Sequence, residues 1–309
     1  MKKFLVVLLV LLCSFGIFGC NQQTEVDKTI NIGVMPDVES IPFLIAQKNG
    51  YFAREGVNVN IEHFSSAKDR DSALQSGKLD GVITDIAAVL FANEGGIDLR
   101  IIARSDGNIL LMAGKEAGIN TVAGLKDKDI GLSTNTIMEF TLDKMLEVHG
   151  LQDNEVSKIA IPPLPTRLEM LQGGKIDAAI LPEPMAGLAV KNGAHVLTST
   201  DQMDNKAGAI AFTSYSIQEN TEEIKAVFRA YNQAVEYLQN EAADKYIDFI
   251  IEELHFPAGI KDSLDLPFYH QAEIIREDVF SDVVDWMLKK DLIKNNYEFN
   301  DIVDQTILR

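Results

Sequence analysis

The chain has 309 residues, 46% of them apolar, and a formal net charge of −18 from 46 acidic against 28 basic side chains. That sign excludes a surface built to hold nucleic acid, which needs cations against phosphate. The length is enough for two lobes with cores of their own, and the two cysteines, Cys13 and Cys20, cannot supply a thiolate metal cluster.

Lys2 and Lys3 precede an unbroken apolar run from Phe4 to Cys13. The run is too short to span a bilayer, which predicts a signal peptide over residues 1–19. Ile17-Phe18-Gly19-Cys20 resembles the bacterial lipobox and implies cleavage before Cys20 and lipidation of its thiol; Cys13, behind bulky Leu12, fails the same test. The alternative is an uncleaved anchor with Cys20 as a passive thiol. Without the signal, Cys20 is the only cysteine, so no intramolecular disulfide is available. Residues 20–29 read as a lipidated tether, because Asn21 to Lys28 is polar and lacks periodicity. The expected location is the extracytoplasmic face of the cell membrane.

Beyond the tether, Asn31 to Met35 predicts a strand, Ile41 to Gly50 a helix stopped by Gly50, and Val57 to His63 a second strand. Helix Asp69 to Ser76 and strands Gly81 to Thr84 and Arg100 to Ala103 follow. The pattern then recurs as strand Asp129 to Leu132, helix Ile137 to His149, strand Lys158 to Ile161, helix Thr166 to Gln172, and strands Ala178 to Leu181 and Ala194 to Leu197. An internal echo supports the repetition. Leu74-Gln75-Ser76-Gly77-Lys78-Leu79-Asp80 aligns with Leu171-Gln172-Gly173-Gly174-Lys175-Ile176-Asp177, and Ile32-Gly33-Val34 with Ile130-Gly131-Leu132. Two similar α/β units, each with a parallel sheet covered on both faces, are the economical reading.

Ile109 to Ala113 and Ala209 to Thr213 are expected to be a pair of crossing strands that form a hinge. Ile224, Val227, Phe228, Tyr231, Val235 and Leu238 mark one face of a long helix; Tyr246 to Leu254 and Asp278 to Lys289 predict two more, all covering the first lobe. The first lobe is therefore drawn as residues 30–112 with 209–309, and the second as 113–208.

Ile41 to Val57, with its Lys48-Asn49-Gly50-Tyr51-Phe52-Ala53-Arg54-Glu55-Gly56 core, resembles the opening of the nitrate, sulfonate, taurine and thiamine-precursor (NMT1/THI5-like) solute-binding proteins of ABC importers. Gly77-Lys78-Leu79-Asp80, Thr121 to Lys126 ahead of Ile130-Gly131, and Pro182-Glu183-Pro184 continue the likeness in the same order. The resemblance implies a type II periplasmic-binding fold, with two lobes, a two-strand hinge and a ligand clamped in the cleft. It also implies a permease and an ATPase as partners, no cofactor, and a monomer with no nucleic acid.

In open α/β sheets ligands sit beyond the carboxyl ends of the strands. The candidates there are Asp37, Glu39 and Ser40; Ser65 and Ser66; Thr84 and Asp85; Ser105; Ser133, Thr134, Asn135 and Thr136; and Pro182 and Glu183. Ser133 to Thr136 opens a helix, where free amides can hold a ligand oxygen or the residues can act as a plain N-cap. Ser65 and Ser66 suit a turn equally well, and Asp85 can simply cap the helix from Ile86. The echo puts Asp85 and Glu183 at matching strand ends, where they could face each other across the cleft.

An enzyme is the first rival. The related thiamine-pyrimidine synthases depend on a histidine and clustered cysteines, whereas this chain has no cysteine cluster and its histidines, His63, His149, His195, His255 and His270, lack metal-ligand spacing. A sensing lipoprotein without transport is the second, disfavoured because no output domain follows. In the candidate loops Asp37, Glu39, Asp85, Asp106, Glu139 and Glu183 outnumber Arg104 and Arg167, which suits a solute with donor or cationic groups better than an inorganic anion.

Overall fold

The computed structural model describes residues 28–257 and 259–309, so the predicted signal peptide and Cys20 lie outside the described residues. Strand β1 (Thr29–Val34) begins inside the segment read as tether. The first lobe holds β1, β2 (Asn58–His63), β3 (Gly81–Asp85), β4 (Leu99–Arg104) and β10 (Gly208–Thr213) in the order β2-β1-β3-β10-β4. The second holds β5 (Ile109–Ala113), β6 (Asp129–Leu132), β7 (Ser157–Ala160), β8 (Ala178–Pro182) and β9 (His195–Ser199) in the order β7-β6-β8-β5-β9.

Both sheets are mixed rather than parallel. β1 runs parallel to β2 and β3, but β10 lies antiparallel between β3 and β4, and β5 lies antiparallel between β8 and β9. The expected hinge pair therefore does not form, since each apolar run is an inner strand of a different sheet. Leu110, Leu111, Met112 and Ala113 are buried, as are Ala209 to Phe212, and each run satisfies its backbone by pairing along both edges. The chain crosses between the lobes in the connections at 105–108 and 200–207, so the first boundary falls before β5 and not at 112.

The echo is a structural duplication. Gly33 and Gly131 occupy equivalent strand positions, where a Cβ would crowd the side-chain ends of Leu79 and Ile176 and lie 3.2 Å from Cγ of Arg70 and Arg167 in the covering helices. Asp80 Oδ2 accepts from Asn31 N at 2.8 Å, and Asp177 Oδ2 accepts from Asp129 N at 3.0 Å.

Helices α1 (Ile41–Lys48), α2 (Ala67–Gln75) and α3 (Ile86–Glu94) cover the first sheet; α4 (Ile137–Val148), α5 (Leu164–Gln172) and α6 (Met185–Lys191) are their counterparts on the second. The C-terminal helices α7 (Thr221–Asn240), α8 (Ile247–Glu253) and α9 (Glu277–Lys289) pack on the first lobe, as the sequence predicts. All six residues of the predicted α7 face are buried, and Phe43 of α1 meets Tyr231 at 5.2 Å between ring centroids. Full burial of such side chains contributes roughly 1.5–3 kcal/mol each. No helix among the described residues is long and apolar enough to cross a membrane.

Candidate ligand cleft

The strand ends of the two lobes meet along a cleft. After β1 the backbone turns sharply, with Asp37 Oδ1 accepting from Ser40 N at 3.2 Å. Ser40 Oγ lies 2.8 Å from Met35 O and 3.0 Å from Asp37 Oδ1, and the residue is fully buried. Ser40 thus shapes the loop instead of facing a ligand. Glu39 accepts a hydrogen bond from Ser105 Oγ and lies against Gly107, where any side chain would overlap its carboxyl, and near Gly208, where a Cβ would overlap Ser105 Oγ. The Glu39 loop is therefore seated directly on the two crossing connections.

Burial, and then the neighbouring charge of Asp37, push the Glu39 carboxyl above the usual carboxylate range, with Asp85 and Asp106 adding to the effect against the Ser105 hydrogen bond. Asp37 is raised by burial against the lowering pull of Ser40 and Arg70. Asp85 is raised by burial too, although Ala88 N donates to its Oδ1 at 2.8 Å as the cap of α3. Asp106, 2% exposed, accepts from His270 N at 2.6 Å and lies 3.1 Å from His270 Nδ1. It anchors the segment between α8 and α9, whose Tyr269 hydroxyl also donates to Val38 O at 2.8 Å.

The cations are committed elsewhere. Arg70, 4% exposed, donates to Ile83 O at 2.8 Å and Thr84 Oγ1 at 3.0 Å. Its counterpart Arg167, fully buried, donates to Ile161 O at 2.9 Å, Ile180 O at 2.7 Å and Ser133 Oγ at 2.6 Å. Each guanidinium ties strand ends together inside its lobe. Burial lowers Arg167 to about 10, still far above neutrality. Arg104 pairs with Glu273 at 2.5 Å and Asp106 at 3.5 Å.

In the second lobe Thr136 caps α4, with Met138 N donating to Oγ1 at 3.2 Å and Oγ1 donating to Ser133 O at 2.8 Å. Asn135 adopts φ 57° in the left-handed region, and its N–H donates to Glu139 Oε2 at 2.7 Å. Thr134 is half-buried. Pro182 ends β8, and Glu183, 2% exposed, accepts from Gly187 N at 3.1 Å. Burial pushes its carboxyl up to about 7, and Asp265 adds to the rise. Asp265, in the segment after α8, is the charge that acts on Glu183.

Ser66 caps α2, accepting from Asp69 N at 3.2 Å, and Ser65 is exposed beside it, so this pair takes the turn reading. Asp37, Glu39, Thr84, Asp85, Ser105 and Ser133 to Thr136 stand at the strand ends, with Asp85 and Thr136 also capping helices, while Ser40 bonds within its own loop, Ser66 caps α2 and Glu183 accepts from Gly187 N. Sequence reasoning missed Arg70 and the anchoring roles of Asp106 and His270. Arg70 was within reach, since it stands at the same place in the echo as Arg167. Among the described residues no cluster of three or more His, Cys, Asp or Glu could hold a metal.

A cavity of about 580 Å³ opens on one flank of the cleft, with Thr84, Asp85, Ser133, Asn135 and Thr136 in its lining. Asp37 and Glu39 stand outside that lining, while Asp85, which is part of it, acts electrostatically on Glu39.

The chain is similar to a curated Brachyspira hyodysenteriae protein named among ABC transporter periplasmic binding proteins, 22% identical over 270 residues, with 80% of this chain and 78% of that protein covered. In fold it is similar to the periplasmic aliphatic sulphonate binding protein SsuA from Escherichia coli, with a TM-score of 0.77 at 18% identity over 90% of this chain and 92% of that one. The alkanesulfonate-binding SsuA from Xanthomonas axonopodis pv. citri, bound to MOPS, aligns with a TM-score of 0.73 at 16% identity over 89% of this chain and 98% of that one. The two-lobed architecture is that of the periplasmic binding proteins. A family model described as NMT1/THI5 like matches residues 37–244, from Asp37 to just past α7, and the chain belongs to that family.

Proposed function

We infer that the chain is the solute-binding component of an ABC importer, not an enzyme, held by a lipid on Cys20 at the extracytoplasmic face of the cell membrane. It captures a small polar organic solute with amine or other donor groups, such as a thiamine-precursor-like aminopyrimidine, taurine or another amine-bearing sulfonate. As a monomer it delivers that solute to the permease and ATPase. The family, the name of the Brachyspira relative and the sulfonate-binding neighbours support the transport role.

The observation that carries the ligand class is the gathering of Asp37, Glu39 and Asp85 at the cleft while Arg70, Arg104 and Arg167 are occupied by carbonyls and carboxylates. A buried carboxylate needs a donor, and an ammonium or amine supplies one where nitrate brings only acceptors.

A thermal-shift screen of aminopyrimidines, taurine, alkanesulfonates and nitrate tests this. Ligand at a hundredfold excess over its dissociation constant adds about 2.7 kcal/mol to stability. Stabilisation by nitrate or simple alkanesulfonates, with none from donor-bearing solutes, refutes the ligand class.

A further inference from the structure

The duplication offers an internal control for the cavity. In the second lobe the space between α5 and α6 is filled, with Leu164, Leu168, Leu171, Ala186 and Ala189 in one apolar cluster. At the matching positions of the echo the first lobe carries Ala67 for Leu164 and Asp71 for Leu168. The cavity of about 580 Å³ lies between α2 and α3, in the place that those two leucines help to fill in the second lobe. Leu74, Val82, Ala87, Leu99 and Met138 give it an apolar lining with the exposed Phe91, and its size is that of a small-molecule pocket.

Three features tie this groove to the ligand cleft and not to a protein partner. Its mouth is made by both lobes, with Thr84 and Asp85 from one and Ser133, Asn135 and Thr136 from the other. Asp85 offers its second carboxylate oxygen there, the first being taken by Ala88 N. The cations in the lining are Arg70, already bonded to Ile83 O, Thr84 and Asp71, and Lys68, which is exposed at the rim. We propose that the groove is the second half of the ligand site, taking the apolar body of an organic amine whose cationic head meets Asp85 and Glu39 in the cleft. This rests on the reading of the cleft as a site for donor-bearing solutes, and it narrows that class from small polar solutes to amphipathic ones.

The test measures dissociation constants of methylamine, n-butylamine, n-hexylamine and phenethylamine for the mature chain, by ligand-observed NMR or calorimetry. The same series is run on a variant carrying Ala67→Leu and Ala88→Leu, which narrows the groove from both walls; circular dichroism and a melting curve verify its fold. Each added methylene buried in the groove tightens binding about fourfold in wild type. The variant is expected to keep methylamine binding and lose that slope. A flat series in wild type with methylamine still bound overturns the groove alone, as does an unchanged slope in the variant. Failure of every amine to bind removes the cleft reading and the groove with it. If the variant binds amines as wild type does but loses self-association in sedimentation, the groove is an interface between copies and the proposal is overturned.

Discussion

Replacing Glu183 by Gln isolates the cost of holding one acid inside the second lobe. The carboxyl is 2% exposed and is pushed from 4.5 to about 7, chiefly by burial. A folded-state value above the unfolded one means the native protein binds the proton more tightly. The stability it contributes is complete below pH 4.5 and is lost as pH rises towards 7. At 1.36 kcal/mol per unit, the loss by pH 8 is roughly 3 kcal/mol. Glutamine keeps an oxygen for Gly187 N–H and cannot ionise, so Glu183→Gln should match wild type near pH 4.5 and exceed it by roughly 3 kcal/mol at pH 8. Urea unfolding of both proteins across that range measures the difference directly, and the other raised acids cancel in the comparison. Parallel curves for the two proteins would mean that Glu183 is solvated in the native state and that the reasoning fails.

A cationic solute that meets Glu39 should displace the proton that burial favours there, so binding releases protons near neutrality and tightens as pH rises. Calorimetry in two buffers of different ionisation enthalpy reads this out, and proton uptake would contradict it. Arg167→Met leaves Ile161 O and Ile180 O without their donor inside the lobe and should cost about 3 kcal/mol or more, read as a drop in the urea midpoint. A loss under about 1 kcal/mol would mean that water replaces the guanidinium. Cys20→Ala should release the protein from the membrane fraction, since an acyl chain contributes about 0.8 kcal/mol per buried methylene; full retention of the variant contradicts the lipid anchor.

The sequence exposes the strand-helix repetition because each unit writes a buried strand beside a glycine stop, and Gly33 and Gly131 have the same steric cause. Pairing partners are less legible. Ile109–Ala113 and Ala209–Phe212 are apolar throughout, and nothing in so nearly buried a run says which sheet receives it or in which direction. The cleft acids were visible as residue types at strand ends, but their roles depend on contacts between distant segments. Asp106 is bound by His270 from 164 positions away, and Ser40 turns inward because Met35 O lies beneath its hydroxyl. The open groove was legible in principle, since it follows from Ala67 and Asp71 standing where the echo has two leucines.

Beyond the crossing connections, the lobes meet a third time through α4 and α9. Glu139 of α4, 4% exposed, lies 3.0 Å from Lys158 Nζ and 2.5 Å from Lys290 Nζ, just beyond α9, while its other oxygen holds Asn135 N in the cleft loop. Trp286 Nε1 donates to Asp143 at 3.0 Å and packs edge-on against Phe140 at 5.8 Å. Ile137 and Phe140 of the second lobe belong to the same buried cluster as Phe280, Val283 and Met287 of α9. Withdrawing those two side chains on opening would forfeit about 4 kcal/mol, and stripping Lys290 from a buried carboxylate would cost several more. An opening motion of low cost should therefore keep this contact and turn about it as a pivot, equal in the open and closed states. A contact equal in both states cannot shift the equilibrium between them. Lys290→Met should accordingly lower the melting temperature while leaving the dissociation constant of the best-binding solute within about twofold. Small-angle scattering should record a fall in radius of gyration on ligand addition in wild type and variant alike. A tenfold change in affinity would show that the contact forms only on closure, as a latch, and would refute the pivot.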